Sequence, residues 1–226
     1  MIKLVAFDWN GTLLADTQAV VDADNVFFKK FGMPPLTLRK FRDTFDVPFI
    51  DYYAANGLTP EKFLKNASMI NELFHENYEK RAKHSRTRSG ARQTLDWLER
   101  HKVSRVIFSN HTHHGIMFQL ERLGIKKYFP EVLARSGAKD AAMKERNKGA
   151  KLEKYIRAHG FRKKEVLIVG DTIEEAQIAR TLGIKSVAIT GGYNSTARLK
   201  AVQPDYLIHN MVELEKIIRQ INRKGR

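Results

Sequence analysis

The stretch Leu4-Val5-Ala6-Phe7-Asp8-Trp9-Asn10-Gly11-Thr12 decides the fold. Four apolar residues stop at an aspartate and a glycine turn follows at once, so a short buried strand delivers a carboxylate to its own C-terminal end. In open α/β sheets ligands bind at that edge, which makes Asp8 a candidate functional residue. Glu165-Val166-Leu167-Ile168-Val169-Gly170-Asp171-Thr172 repeats the arrangement, and Glu174 and Glu175 open the helix after it. Carboxylates brought together at two parallel strand ends raise one another's pKa unless a cation lies between them. The pattern therefore points to a hard divalent ion, Mg²⁺, with Asp8 and Asp171 as ligands and Glu175 better placed than Glu174 to hold metal-bound water.

Outward from these strands the elements alternate as in a doubly wound parallel α/β sheet. Apolar spacing predicts helices over 16–31, 37–45, 48–56 and 59–83, the last with a capped start at Thr59-Pro60-Glu61. This all-helical block carries no strand signal. From about Gly90 the alternation resumes, with helices over 91–101, 112–123 and 149–159. Strands are expected at 105–108, 131–134, 166–169, 186–189 and 205–208, and a terminal helix begins at Val212. The expected division is a core of residues 1–15 and 88–226 with a helical insertion of residues 16–87. An insertion at that point stands over the carboxylates and shields them from water.

At 226 residues and 42% hydrophobic content the chain can bury a sizeable core. It has no cysteine, which excludes disulfides, thiolate metal sites and a cysteine nucleophile. No apolar run of about eighteen residues is present, and Met1-Ile2-Lys3 leads straight into the first strand, so a cytoplasmic protein without membrane association is expected. The net charge of +15 is spread along the chain, with concentrations at 80–88, 139–154 and 219–226. A solvated surface that also steers anionic substrates is favoured over nucleic-acid binding, because no aromatic platform or helix-turn-helix accompanies the charge.

Four motifs together resemble the haloacid dehalogenase superfamily of phosphoryl-transfer enzymes. They are Asp8 to Thr12, Ser109 after the strand Arg105 to Phe108, Lys148 in Asn147-Lys148-Gly149, and Gly170-Asp171-Thr172 with Glu175. The resemblance implies a Rossmann-like core, a helical cap at residues 16–87, and Mg²⁺ held by Asp8, Asn10, Asp171 and Glu175. It also implies attack by Asp8 on a small phosphorylated metabolite to give an aspartyl-phosphate. Ser109 and Lys148 are the expected catalytic partners, with Lys144 and Lys151 as competitors for the lysine's role. Thr12, Asn110 and His111 are the expected substrate contacts. The Gly191 to Ser195 loop is similar to a segment of phosphoglycolate phosphatase-like members. A monomer or homodimer is expected.

Asn10 departs from the family pattern, which usually has an aspartate there as general acid and base. An amide can neither give up nor take a proton at neutral pH. Asn10 is compatible with a phosphatase that shuttles the proton elsewhere, with other chemistry, or with a weakly active or non-catalytic protein that binds phosphorylated ligand or nucleic acid. The Asp-Trp-x-Gly-Thr form also resembles phosphonoacetaldehyde hydrolase, a C–P bond hydrolase that needs a cap lysine for a Schiff base. Lys29, Lys30 and Lys40 are the candidates, none in an apolar setting. His111, His113 and His114 lack zinc-site spacing, and His111 is the leading substitute proton shuttle. Trp9 beside Asp8 could line the pocket, but packing under the cap is the simpler reading.

Overall fold

A computed structural model describes residues 1–135 and 148–224. The elements run β1 (Leu4–Phe7), α1 (Thr17–Lys30), α2 (Leu38–Thr44), α3 (Phe49–Ala55), α4 (Pro60–Ala82), α5 (Ala91–Arg100), β2 (Ser104–Thr112) and α6 (His113–Arg122). They continue with β3 (Val132–Arg135), α7 (Lys148–Ala158), β4 (Val166–Gly170), α8 (Ile173–Leu182), β5 (Lys185–Ile189), α9 (Thr196–Ala201), β6 (Tyr206–Ile208) and α10 (Glu213–Lys224). The six strands form one parallel sheet in the order β3-β2-β1-β4-β5-β6.

Alternation along the central strands explains their unbroken apolar runs. Val5 and Phe7 of β1, with Leu167 and Val169 of β4, face a cluster completed by Leu95, Ile116, Leu120 and Leu214 from α5, α6 and α10. Leu4, Ala6, Val166 and Ile168 face the opposite cluster, closed by Leu152 and Ile156 of α7 and by Ile178 and Leu182 of α8. A sheet covered by helices on both sides needs no polar face, and each fully buried side chain of this size contributes about 1.5–3 kcal/mol. Trp9, 0% exposed, packs in the first cluster and not in the cluster of the helical insertion, under which it was expected.

Helices α1 to α4 bury a third cluster of their own, joined from the rest of the chain by Tyr193. Thr59 caps α4 by accepting from the Lys62 amide, with Pro60 in the first turn, as the sequence predicted. The two links to this helical block run side by side: Leu14 bridges Thr87 in antiparallel fashion, with Ala15 N–H bonded to Arg86 O and Arg88 N–H to Leu13 O. A further tie comes from Arg42 of α2, which donates to the carbonyls of Gly191 and Gly192, and from Arg198 of α9, which donates to Phe45 O.

Two expectations need correction. The second strand does not stop at Phe108 but runs to Thr112, with a shift in its pairing to β3 between Phe108 and Thr112. Such an irregularity lets a strand carry polar residues past the point where apolar alternation ends. Helix α9 was not foreseen, because six residues with one buried apolar side chain, Leu199, leave too little periodicity to read. Among the described residues no helix is long and apolar enough to cross a membrane.

Candidate active site

The carboxylates predicted from the strand ends do meet at the C-terminal edge of the sheet. Asp8 follows β1, its N–H bonded to Val169 O at 2.9 Å, so the ends of β1 and β4 stay in step. Asp171 follows β4, is 0% exposed, and accepts from Thr12 Oγ1 at 2.5 Å and from the Tyr193 N–H at 2.6 Å. The backbone closes tightly around it. Gly11, at φ +71°, and Gly192 would bring a Cβ to 2.2 and 2.1 Å of Asp171 Oδ2 respectively, so neither position has room for a side chain.

Lys148 opens α7 and reaches into this cluster. Its Nζ lies 3.3 Å from Asp8 Oδ1 and 3.0 Å from Glu174 Oε2, and it also bonds Glu175 Oε1. Burial alone would discharge the ammonium, yet Asp8, Glu174 and Glu175 outweigh it and hold the lysine pKa well above its usual value. Burial lifts Asp8 well above the ordinary carboxylate range; Lys148 opposes the rise, while Glu175, Asp171 and Glu174 add to it. Asp171 is pushed up to about 7, by burial first and Glu175 second. Lys151 instead donates to Ala134 O at 2.8 Å, and Lys144 lies outside the described residues.

A cavity of about 140 Å³ separates this cluster from the helical block. Asp8, Asn10, Ser109, Asn110, His111 and Lys148 all lie on its wall. Ser109, 4% exposed within β2, accepts from the His111 N–H, and Asn110 Nδ2 donates to Glu174 Oε2 at 3.0 Å. Thr12 does not reach the wall: it is 0% exposed, and its hydroxyl is spent on Asp171. Its expected substrate contact is therefore corrected to a role in orienting that carboxylate.

The two glutamates also differ from expectation. Glu175 closes a capping box, its Oε2 accepting from Thr172 N–H and Oγ1 while Oε1 is held by Lys148. Glu174 lies on the cavity wall, and its Oε1 is buried with no hydrogen-bond partner. The open buried oxygen thus belongs to Glu174. Adjacent glutamates at the start of a helix look alike in sequence, and only the cap separates them.

Among the described residues no group of three His, Cys, Asp or Glu side chains is spaced as a metal site. The chemistry of the donors nevertheless fits a hard cation: the groups are all oxygen, the buried carboxylates of Asp8, Glu174 and Glu175 gather around one ammonium with the buried Asp171 carboxylate acting on Asp8, and the Glu174 Oε1 has no hydrogen-bond partner.

Asn10 turns its amide toward the helical block, Nδ2 donating to Asp16 Oδ2 at 2.6 Å and to Tyr78 Oη at 2.8 Å. Asp16 accepts from Tyr78 and Tyr193 as well, and from the Gly11 N–H. Neither Asp16 nor Tyr78 was singled out from sequence, because their meeting depends on how α4 crosses the cavity. His111 sits against the Tyr78 ring, and burial, then His75 and Arg135, lower its pKa to about 3. Such a shift favours the neutral imidazole, which weighs against the shuttle role expected of it. His113 and His114 are exposed, as are Lys29, Lys30 and Lys40, none of which lies on the wall; among the described residues no lysine of 16–87 lines the cavity for the Schiff-base alternative.

Residues 5–189 match the model of the haloacid dehalogenase-like hydrolases. The chain is 26% identical over 232 residues to the phosphoglycolate phosphatase of Vibrio vulnificus, with 96% of each chain covered. Among solved structures it resembles the haloacid dehalogenase-like family protein SP0104 from Streptococcus pneumoniae, at TM-score 0.78 and 22% identity over 96% of this chain and 98% of that one. A predicted phosphatase from Clostridium acetobutylicum gives TM-score 0.80 at 17% identity, covering 97% and 99%.

Proposed function

Because the chain belongs to the haloacid dehalogenase-like hydrolases, we propose that it is a Mg²⁺-dependent phosphatase of small phosphate monoesters, with residues 16–87 as its cap. The observation that carries this reading is the convergence of Asp8, Ser109, Asn110 and Lys148 on one wall of the cavity. Asp8 attacks phosphorus in line, forming an Asp8 O–P bond as the bond to the leaving oxygen breaks. Water then attacks the aspartyl-phosphate, releasing inorganic phosphate and restoring the carboxylate. Lys148 and the Ser109 hydroxyl neutralise and orient the phosphoryl oxygens. Asp8, the Asn10 carbonyl, Asp171 and, through water, Glu174 or Glu175 would hold the metal, which supplies the positive charge that lets an anionic ester approach these carboxylates. The leaving oxygen takes its proton from a group other than Asn10 or from solvent.

Asp8→Asn should keep the fold while cutting turnover to below roughly a thousandth. Acetyl phosphate hydrolysis, with circular dichroism as the folding control, checks this. Activity should also vanish in chelator and return with Mg²⁺; full turnover by the Asp8→Asn variant, or by the natural protein in chelator, would place the chain in another reaction class.

A further inference from the structure

The wall opposite the phosphoryl end is built from α1, α4 and the segment from Phe45 to Tyr53. Val20, Phe45, Phe49, Phe63, Ile70 and Phe74 line it. The charged or titratable groups that share the cavity away from Asp8, Lys148 and Glu174 include Asp24, His75, His111 and Arg135. Asp24 is 1% exposed and accepts from Tyr52 Oη at 2.6 Å and Tyr53 Oη at 3.3 Å. Arg135 ends β3 next to the end of β2, and its charge acts on both His111 and His75 of α4, so it sits where the sheet edge meets one side of the helical wall, with Val20, Phe45, Phe49 and Phe63 forming the apolar remainder.

A leaving group bearing a carboxylate would have to shed its water among these rings and face a buried carboxyl, a cost that apolar walls do not repay. An uncharged apolar leaving group gains from the same surface. The cavity of about 140 Å³, which takes in the phosphoryl end as well, does not exceed the roughly 150 Å³ that holds a benzene ring in an engineered protein core. Resting on the phosphatase reading above, we propose that the substrate is a phosphate ester of an uncharged, largely apolar alcohol no larger than about one ring. That sets it apart from phosphoglycolate, whose leaving group is an acid.

Calorimetry with the intact protein and Mg²⁺ tests this, using methyl-, ethyl- and butylphosphonate, 2-phenylethylphosphonate and 3-phosphonopropionate. Each added methylene should tighten binding by about fourfold. 2-Phenylethylphosphonate should bind at least roughly tenfold tighter than 3-phosphonopropionate, and Ile70→Asn should flatten the alkyl series. Equal or tighter binding of 3-phosphonopropionate, or no dependence on chain length, overturns the leaving-group inference; hydrolysis of acetyl phosphate in that case leaves the phosphatase reading standing. If no phosphonate binds and acetyl phosphate is not hydrolysed, both readings fall together.

Discussion

Asn10 stands where the family usually carries an aspartate, and its amide is 2.6 Å from the Asp16 carboxylate. An aspartate at position 10 would face Asp16 across that gap, and two carboxyls so close hold a proton between them. Asp16 already has its pKa raised by burial, against the pull of its donors Asn10, Tyr78 and Tyr193. A carboxyl with a raised folded pKa binds protons that the unfolded chain has released, so its stabilising share is present at low pH and lost as pH rises through the folded value. Asn10→Asp should therefore lower the melting temperature relative to the natural protein more at pH 8 than at pH 5. If the missing acid limits the rate, the same change should speed alkyl esters over aryl esters by roughly 10² to 10⁴. Equal response of the two ester classes would show that another group already delivers the proton.

At the scale of elements, the ends of apolar runs carry the positions that the sequence made legible, although β2 itself continues past Ser109 to Thr112. Asp8, Ser109 and Asp171 could be found because an apolar run that halts at a polar residue has few structural excuses, and Lys148 because it opens a helix at the spacing the family keeps. The difference in partners between Glu174 and Glu175, the pairing of Asn10 with Asp16, and the placement of Asp24 under Tyr52 were not legible. They depend on a cap, a helix crossing and a rotamer, which residue order does not encode locally. The loop after β5 shows what the strand ends demand of their neighbours. A Cβ on Gly192 would lie 2.1 Å from Asp171 Oδ2, so Gly192→Ala must push the carboxylate or the loop aside. A loss of roughly 1–3 kcal/mol is expected from such overpacking, with weaker Mg²⁺ activation. Chemical denaturation and Mg²⁺ titration of turnover would read both; no change in either would mean that the loop yields freely.

Across the whole molecule, the sheet order sets the first strand between partners that are far away in sequence. Leu4 pairs with Ser104 on one side and with Val166 on the other, whereas α1 to α4 are contiguous and supply nearly all of their own apolar cluster. On a ribosome the chain emerges from its N-terminus, so the strand that bears Asp8 is made first and must wait longest for its neighbours. The helical block is expected to fold on the nascent chain while that strand still hangs free. Stalled chains with residue 100 just outside the exit tunnel should resist protease across 16–87 yet remain cleavable near Leu4–Phe7. That cleavage should cease only once Val166–Gly170 has emerged; earlier protection of the first strand would show that it borrows a temporary partner during synthesis.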